Sequence, residues 1–383
     1  MSPKAGVIQQ AKNAQQPSSV IRAEYPLFAG FATVGIFLAL GNQLNEVTTH
    51  PLPLIGIFIW LFSVILWSAV CVVRHADCLA IKLGEPYGTL ILTLSAISIE
   101  VVMISTAMLH GANNPTLGRD AIFAVIMIAL NGLVGLSLML GGLRYREQHY
   151  NIQGVNAYLN VIMALAVLGL VLPNFTTSTS GPTFSTEQEI FFASVSLLLY
   201  AVFLLIQTLR HRGYFLDVKE TATKHSPHHL VRVRSTSFHA LMLLLYLVAV
   251  IFLAEKFVVP LDNSIEQFHM PQAFGGAVIA ALVLSPEGLG GITASLHNQL
   301  QRSINILFGS VLATIGLTIP AVLLIGLLTK RSVALGLEGG NLPLLLLTLA
   351  VSVVTFTSRK TNILQGCVHF LLFAVFVLLI FVP

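Results

Sequence analysis

Ser98-Ile99-Glu100, five residues, then Thr106-Ala107-Met108-Leu109-His110 stands in one long apolar segment; Ser285-Pro286-Glu287, five residues, then Thr293-Ala294-Ser295-Leu296-His297 stands in another, 187 residues further on. Six of the thirteen aligned positions are identical without a gap, and Gly88 and Gly275 also coincide, each twelve residues before its Glu. Each segment is long enough to cross a bilayer, which takes about 20 mostly apolar residues. A chain that repeats itself around the single acid of a membrane-length run reads as a duplicated membrane protein.

The composition agrees. Hydrophobic residues make up 55% of the 383 and charged residues 9%, where a soluble domain carries about 25% charged residues. A soluble enzyme, a disordered regulator and a collagen-like fibre are excluded. Cys71, Cys78 and Cys367 form no C-x-x-C pair, which argues against a disulfide framework or a cysteine-built zinc site. Neither a G-x-x-x-x-G-K-[ST] phosphate loop nor an H-E-x-x-H zinc motif occurs. No cofactor, ATP or nucleic-acid partner is therefore expected; the partners are the lipid bilayer, inorganic cations and protons. The oligomeric state is not legible.

Eleven stretches are apolar enough to span, at residues 25–41, 52–73, 87–109, 120–143, 155–173, 188–209, 236–254, 273–296, 303–328, 341–358 and 363–382. The expected fold class is an all-α polytopic membrane protein of about eleven transmembrane helices. Residues 1–24 are polar and read as a cytoplasmic tail, without the apolar core and cleavage site of a signal peptide. Counting Lys and Arg with the N-terminus inside puts sixteen on inner segments and four on outer ones, the bias that sets orientation. Lys330 and Arg331 are the local violation, which a re-entrant hairpin at spans nine and ten would remove.

The two Glu-bearing spans are five apart, an odd number, so they cross in opposite directions. That is the mark of inverted repeats, whose interface near the midplane holds the substrate. The expected organisation is a leading helix at 25–41, a first five-helix repeat at 52–209, a basic, His-rich cytoplasmic linker at 210–235, and a second five-helix repeat at 236–382.

Glu100 and Glu287 lie near the centres of their spans, where a charge costs at least about 2.5–3.5 kcal/mol and usually marks an ion path. Asp120, Glu187 and Glu255 fall at span ends. Two carboxylates brought together away from water repel, and they titrate as a coupled pair. One divalent cation cancels both charges, and so do two protons, so metal and protons exclude each other. Hard oxygen ligands of this kind suit Ca²⁺. Ser98 and Ser285 are supporting-ligand candidates if the helix is distorted locally, since positions i and i+2 do not share a helix face. Pro286 with Gly288, Gly290 and Gly291 gives span eight grounds for such a distortion. Asn131 and Asn305, on the partner spans four and nine, are further supporting candidates; Ser310 and Thr314 are other polar residues of span nine, and interhelical hydrogen bonding is the plainer role for all of them. His110 and His297, ten residues after each Glu, and Glu85 at the mouth of span three are candidates for gating or proton access, against the simpler reading of polar groups at span ends. The tract His225-Ser226-Pro227-His228-His229 reads as a solvated loop before a metal site.

Three segments carry a family likeness. Gly84-Glu85-Pro86-Tyr87-Gly88-Thr89, Leu140-Gly141-Gly142-Leu143-Arg144-Tyr145-Arg146-Glu147-Gln148 and Ser285-Pro286-Glu287-Gly288 resemble the cation/proton exchanger branch of the calcium/cation antiporter superfamily, and within it the bacterial antiporters of the ChaA type. The resemblance covers about residues 25–382. It implies one leading helix plus two inverted five-helix repeats, with the two central acids at Glu100 and Glu287. The superfamily's common repeat motif is Gly-Asn-x-x-Glu. Here Ala96 and Ile97, and Val283 and Leu284, stand at the Gly and Asn positions, so the usual amide ligand is missing from both repeats. The expected function is secondary active antiport in a bacterial inner membrane, exporting Ca²⁺, with Na⁺ and K⁺ as alternative cargo, against entering protons, and no enzyme activity. The rivals are a membrane receptor or assembly protein that binds a cation without moving it, and a channel that passes current without proton coupling.

Overall fold

The computed structural model describes residues 24–84, 87–110, 115–216 and 234–382. These form eleven helices: α1 (Tyr25–Val47), α2 (Pro51–Leu83), α3 (Tyr87–His110), α4 (Leu117–Tyr145), α5 (Ile152–Leu170), α6 (Thr186–Arg210), α7 (Thr236–Gln267), α8 (Ala273–Leu296), α9 (Leu300–Thr329), α10 (Asn341–Thr355) and α11 (Ile363–Phe381). Nine of these described helices are long and apolar enough to cross a membrane, and shorter apolar stretches lie at Tyr25–Gly41 and Asn341–Thr355. The molecule is a multi-span membrane protein. Helix and span are different things, and several helices outrun their apolar cores. α1 continues to Val47, α2 ten residues past position 73, and α7 to Gln267. Backbone hydrogen bonding carries a helix on once the side chains turn polar.

Polar contacts between loops fix which helix ends share a face. On one face, called here the linker face, Lys82 of α2 donates to the Arg234 carbonyl beside the start of α7. There too Tyr145 at the end of α4 donates to the Leu296 carbonyl at the end of α8, 2.9 Å. The short strands β1 (Gln148–His149) and β2 (Lys360–Thr361) pair antiparallel and join the α4–α5 and α10–α11 connections, with Lys360 2.9 Å from Glu147. Lys360 beside Glu147 holds that exposed carboxyl below the ordinary carboxylate range. On the opposite face the Ala334 amide donates to the Pro115 carbonyl and the Leu337 amide to the Leu170 carbonyl, gathering the α3–α4, α5–α6 and α9–α10 connections. Asn263 of α7 reaches Thr48 after α1 on that face as well, 2.8 Å. Alternating ends in this way requires eleven crossings, and it makes α3 and α8 run in opposite directions.

Arg331, the charge on the less basic side, donates to the Met108 and Leu109 carbonyls at the end of α3. A cation there meets the negative end of the helix dipole, which accounts for its position without a re-entrant hairpin.

The interior is packed closely enough to specify small residues. A Cβ at Gly276 would stand 2.6 Å from the Ala121 amide nitrogen, and one at Gly288 2.9 Å from the Leu133 side chain. Both glycines are on α8 and both contacts on α4, so the Glu287 helix is pressed against its neighbour, backbone to backbone at Gly276 and backbone to side chain at Gly288.

Candidate functional site

α3 and α8 cross the interior as continuous helices around their acids. The distortion expected beside Pro286 is absent: the helix runs through it, and the Ser285 hydroxyl donates to the Ala281 carbonyl one turn back, 2.6 Å. Ser98 does the same to the Leu94 carbonyl, 2.6 Å. A serine can satisfy its hydroxyl on its own helix and leave the helix intact.

The distortions sit one helix later in each half. α4 contains a π-helical turn at Ile128–Leu133, and α9 one at Thr314–Thr318. The repeat shift of 187 residues carries the first almost onto the second. A π turn widens the helix by one residue and re-aims its side chains, often at a functional site. Here Thr314 donates to Glu100 Oε2, 2.8 Å, and Thr318 lies beside the same carboxylate. An acid of the first half is thus braced by the π turn of the second.

Glu100 is buried, 3% exposed. Glu287 is half-buried, with its Oε2 turned inward. The two carboxyl groups lie within electrostatic range of each other. Among the described residues, Glu100 Oε1 and Glu287 Oε2 are buried side-chain oxygens without a hydrogen-bond partner. A buried carboxylate oxygen left bare is expensive, and it is relieved by a proton or a cation. A cavity of about 680 Å³ opens between α2, the π turn of α4 and α8, lined among others by Trp67, Leu133, Ser285 and Gly288. It reaches the residues that flank Glu287.

Of the other residues singled out in the sequence, Asn131, Asn305 and His297 make their hydrogen bonds to groups other than the two acids. Asn131 is fully buried, but its amide donates to Thr348, 2.8 Å, and its oxygen meets His369 Nδ1, 3.1 Å, so it faces α10 and α11. Asn305 donates to the Phe215 carbonyl, 2.6 Å, and accepts from Gln301, 2.9 Å, near the linker face. His297 is exposed at the end of α8, with Nδ1 2.7 Å from the Thr293 carbonyl. His110 ends α3 on the opposite face; its side chain, Glu85, the tract 225–229 and residues 1–23 lie outside the described residues. Among the described residues no group of three or more His, Cys, Asp or Glu is gathered to hold a metal.

Sequence reasoning missed Asp77. It lies on the linker-face half of α2, in electrostatic range of Glu287 and of Arg302. Ending the second span at 73 placed it in a loop; the helical spacing of Val72, Ala76 and Leu79, all buried, was the available signal.

With this geometry in view, comparison with known proteins is informative. The sequence pattern of the family described as sodium/calcium exchanger protein matches residues 53–209 and again 238–382. The chain belongs to this family. It is 40% identical over 374 residues to the sodium-potassium/proton antiporter ChaA of Escherichia coli, covering 96% of this chain and 99% of that protein. It is 43% identical over 337 residues to an ionic transporter, y4hA, of Sinorhizobium fredii, covering 87% and 91%. The fold matches native YfkE with a TM-score of 0.72 at 17% identity, over 94% of this chain and 100% of that one.

Proposed function

We propose that the chain is a secondary active cation/proton antiporter of the bacterial inner membrane, with a cytoplasmic N-terminus and linker face. Glu100 and Glu287 bind either a metal cation or protons. The observation that carries this reading is two carboxylates on antiparallel helices, in electrostatic range of each other, each keeping one buried oxygen without a partner among the described residues. That pair accepts one Ca²⁺ or two protons with the same cancellation of charge, or exchanges one proton for one Na⁺ or K⁺. The similarity to a sodium-potassium/proton antiporter over almost the whole chain supports the class of exchange. The structural likeness to YfkE, described as a Ca²⁺/H⁺ antiporter, keeps Ca²⁺ among the cargo.

On this reading the halves are 52–209 and 236–382, joined by the linker 210–235, and access alternates between the two faces. Two protons per Ca²⁺ move no net charge. One pH unit then supplies about 2.7 kcal/mol, enough for roughly a hundredfold Ca²⁺ gradient. Reconstituted vesicles given Ca²⁺, Na⁺ or K⁺ should release protons in proportion to cation uptake, at several pH values. Cation current without proton movement, or saturable binding without either, overturns the proposal.

A further inference from the structure

A second buried cluster of titratable groups lies away from the carboxylate pair. It joins α2 of the first half, α7 of the second, and Glu24 at the start of α1. His75 on α2 is 1% exposed and His239, in the first turn of α7, 7%. Their Nδ1 atoms stand 2.9 Å apart. His75 Nε2 lies 3.2 Å from Glu24 Oε2, and the same oxygen accepts from Arg74, 2.7 Å, and from Tyr246, 3.1 Å. Among the described residues, His239 Nε2 is buried without a partner.

Proton counting gives the arrangement a direction. His75 Nε2 also lies 3.2 Å from Arg74 Nη2, so it either accepts from Arg74 or donates to Glu24; in the second tautomer Glu24 takes the donors of Arg74, Tyr246 and His75 Nε2–H. His75 Nδ1 is then a bare acceptor and must receive the His239 Nδ1–H. That leaves His239 Nε2 as a buried lone pair with nothing to accept from. One further proton turns that lone pair into an N–H, which has no acceptor among the described residues, and leaves one shared hydrogen in the Nδ1–Nδ1 contact. His75 becomes an imidazolium donating through both nitrogens, to Glu24 and to His239 Nδ1, while His239 moves its own proton to Nε2. A second proton would set two N–H groups against each other across 2.9 Å. The geometry therefore has room for one added proton, not two.

We propose that His75 and His239 form a second proton-binding site, distinct from the Glu100–Glu287 pair, which takes one shared proton at the linker face and ties α1, α2 and α7 together when it does. Glu24 is the anion of the group. The cations facing it are Arg74 and Lys82 on α2 and Arg234 just before α7; Cys71, Cys78 and Tyr246 are the neutral titratable neighbours. Asp77, two residues after His75 on α2, is in range of Arg302 on α9. Tyr87, at the start of α3, is exposed. Phe238 and Tyr246 pack on the His75 ring at 6.1 and 5.7 Å, which fixes its plane. Burial works to raise the Glu24 carboxyl, but His75, Arg74 and Tyr246 outweigh it and hold the group below the ordinary carboxylate range. Glu24 therefore stays ionised, as the partner of the added charge, across the range where imidazole titrates.

The test is histidine nitrogen NMR on the full chain in lipid nanodiscs, from about pH 5 to pH 8. His75→Asn and His239→Gln assign the two rings. The expected result is that both rings change together, with one proton taken up between them, and that Glu287→Gln leaves this titration in place. Rings that titrate independently, or that do not change over the range, overturn the proposal, as does His239→Gln leaving the His75 signals unmoved. This readout needs no transport, so it stands or falls apart from the antiport reading. A second arm does rest on that reading: in vesicles, His239→Gln should displace the linker-side pH profile of exchange while keeping its maximum, and superimposable profiles count against the site.

Discussion

The two halves place the same acid in different company. Glu100 is gripped by a hydroxyl of the other half, Thr314 at 2.8 Å, with Thr318 beside it. The repeat shift puts Met127 and Asn131 at the equivalents of Thr314 and Thr318. Met127 carries no hydroxyl, and Asn131 turns its amide to Thr348 and His369 behind the site. Glu287 is left, among the described residues, with a buried oxygen that has no hydrogen-bond partner. The backbone symmetry, with a π turn in each half, is kept; the chemistry on it is not. One acid is anchored by a side chain of the other half and the other is not. That division suits a site that must hold a cation and let it go, because a ligand set braced on both sides would favour holding.

The largest effect that could break this comparison is loss of either acid. Glu100→Gln and Glu287→Gln should each abolish cation-dependent proton movement in everted vesicles, with the protein still inserted and monodisperse. A wild-type rate in either variant ends the paired-carboxylate reading. The intermediate case sharpens the asymmetry: with Glu287→Gln, residual Na⁺ exchange of a single charge at Glu100 would show that the anchored acid binds by itself.

The next effect is smaller and one-sided. Thr314→Val removes the hydrogen bond to Glu100 and keeps the shape of the side chain. A hydrogen bond to a charged group is worth about 1.5–3 kcal/mol, so half-saturation by cation should rise by at least roughly tenfold. Thr314→Ser should restore most of it. Thr318→Val should do less, because Thr318 Oγ1 makes no hydrogen bond of ordinary geometry. Equal effects at 314 and 318 would mean that both hydroxyls approach the cation in turn.

How far the site could be read in advance follows from the same residues. Glu100 and Glu287 were legible because an acid in the middle of an apolar run is rare, and two at a fixed shift rarer. The eleven helices were legible as hydropathy, though not their ends. Asp77 was not, because α2 stays helical beyond its apolar core. Thr314 was visible only as one polar residue among several; what selects it is the π turn, which has no sequence signature apart from the shift that aligns it with its counterpart in α4. His369, wholly buried on α11, escaped because its partners Asn131 and Thr355 lie 238 and 14 residues away. Only packing brings them together.

The smallest expected effect decides what Asn131 is for. Its place on the repeat makes it a ligand candidate; its hydrogen bonds make it part of a network in which His369 Nε2 meets Thr355, 3.0 Å, and Ser352 donates to the Thr348 carbonyl, 2.8 Å. Interhelical hydrogen bonds in membranes average about 0.6 kcal/mol, and a buried polar group left unmatched costs about 1–3 kcal/mol. Asn131→Val strands His369 and Thr348 together. Thermal unfolding in detergent should therefore register a loss of about 1–3 kcal/mol, while the cation concentration for half-maximal exchange changes less than twofold. Adding His369→Leu removes the stranded partner, and the double variant should recover part of the lost stability, since replacing both ends of a buried polar contact is milder than replacing one. A ligand behaves in the opposite way: affinity falls with Asn131→Val, and nothing done at His369 brings it back. The two outcomes separate because His369 touches the network and not the carboxylates, so stability follows the pair Asn131–His369 whereas cation affinity follows only a group that reaches the ion.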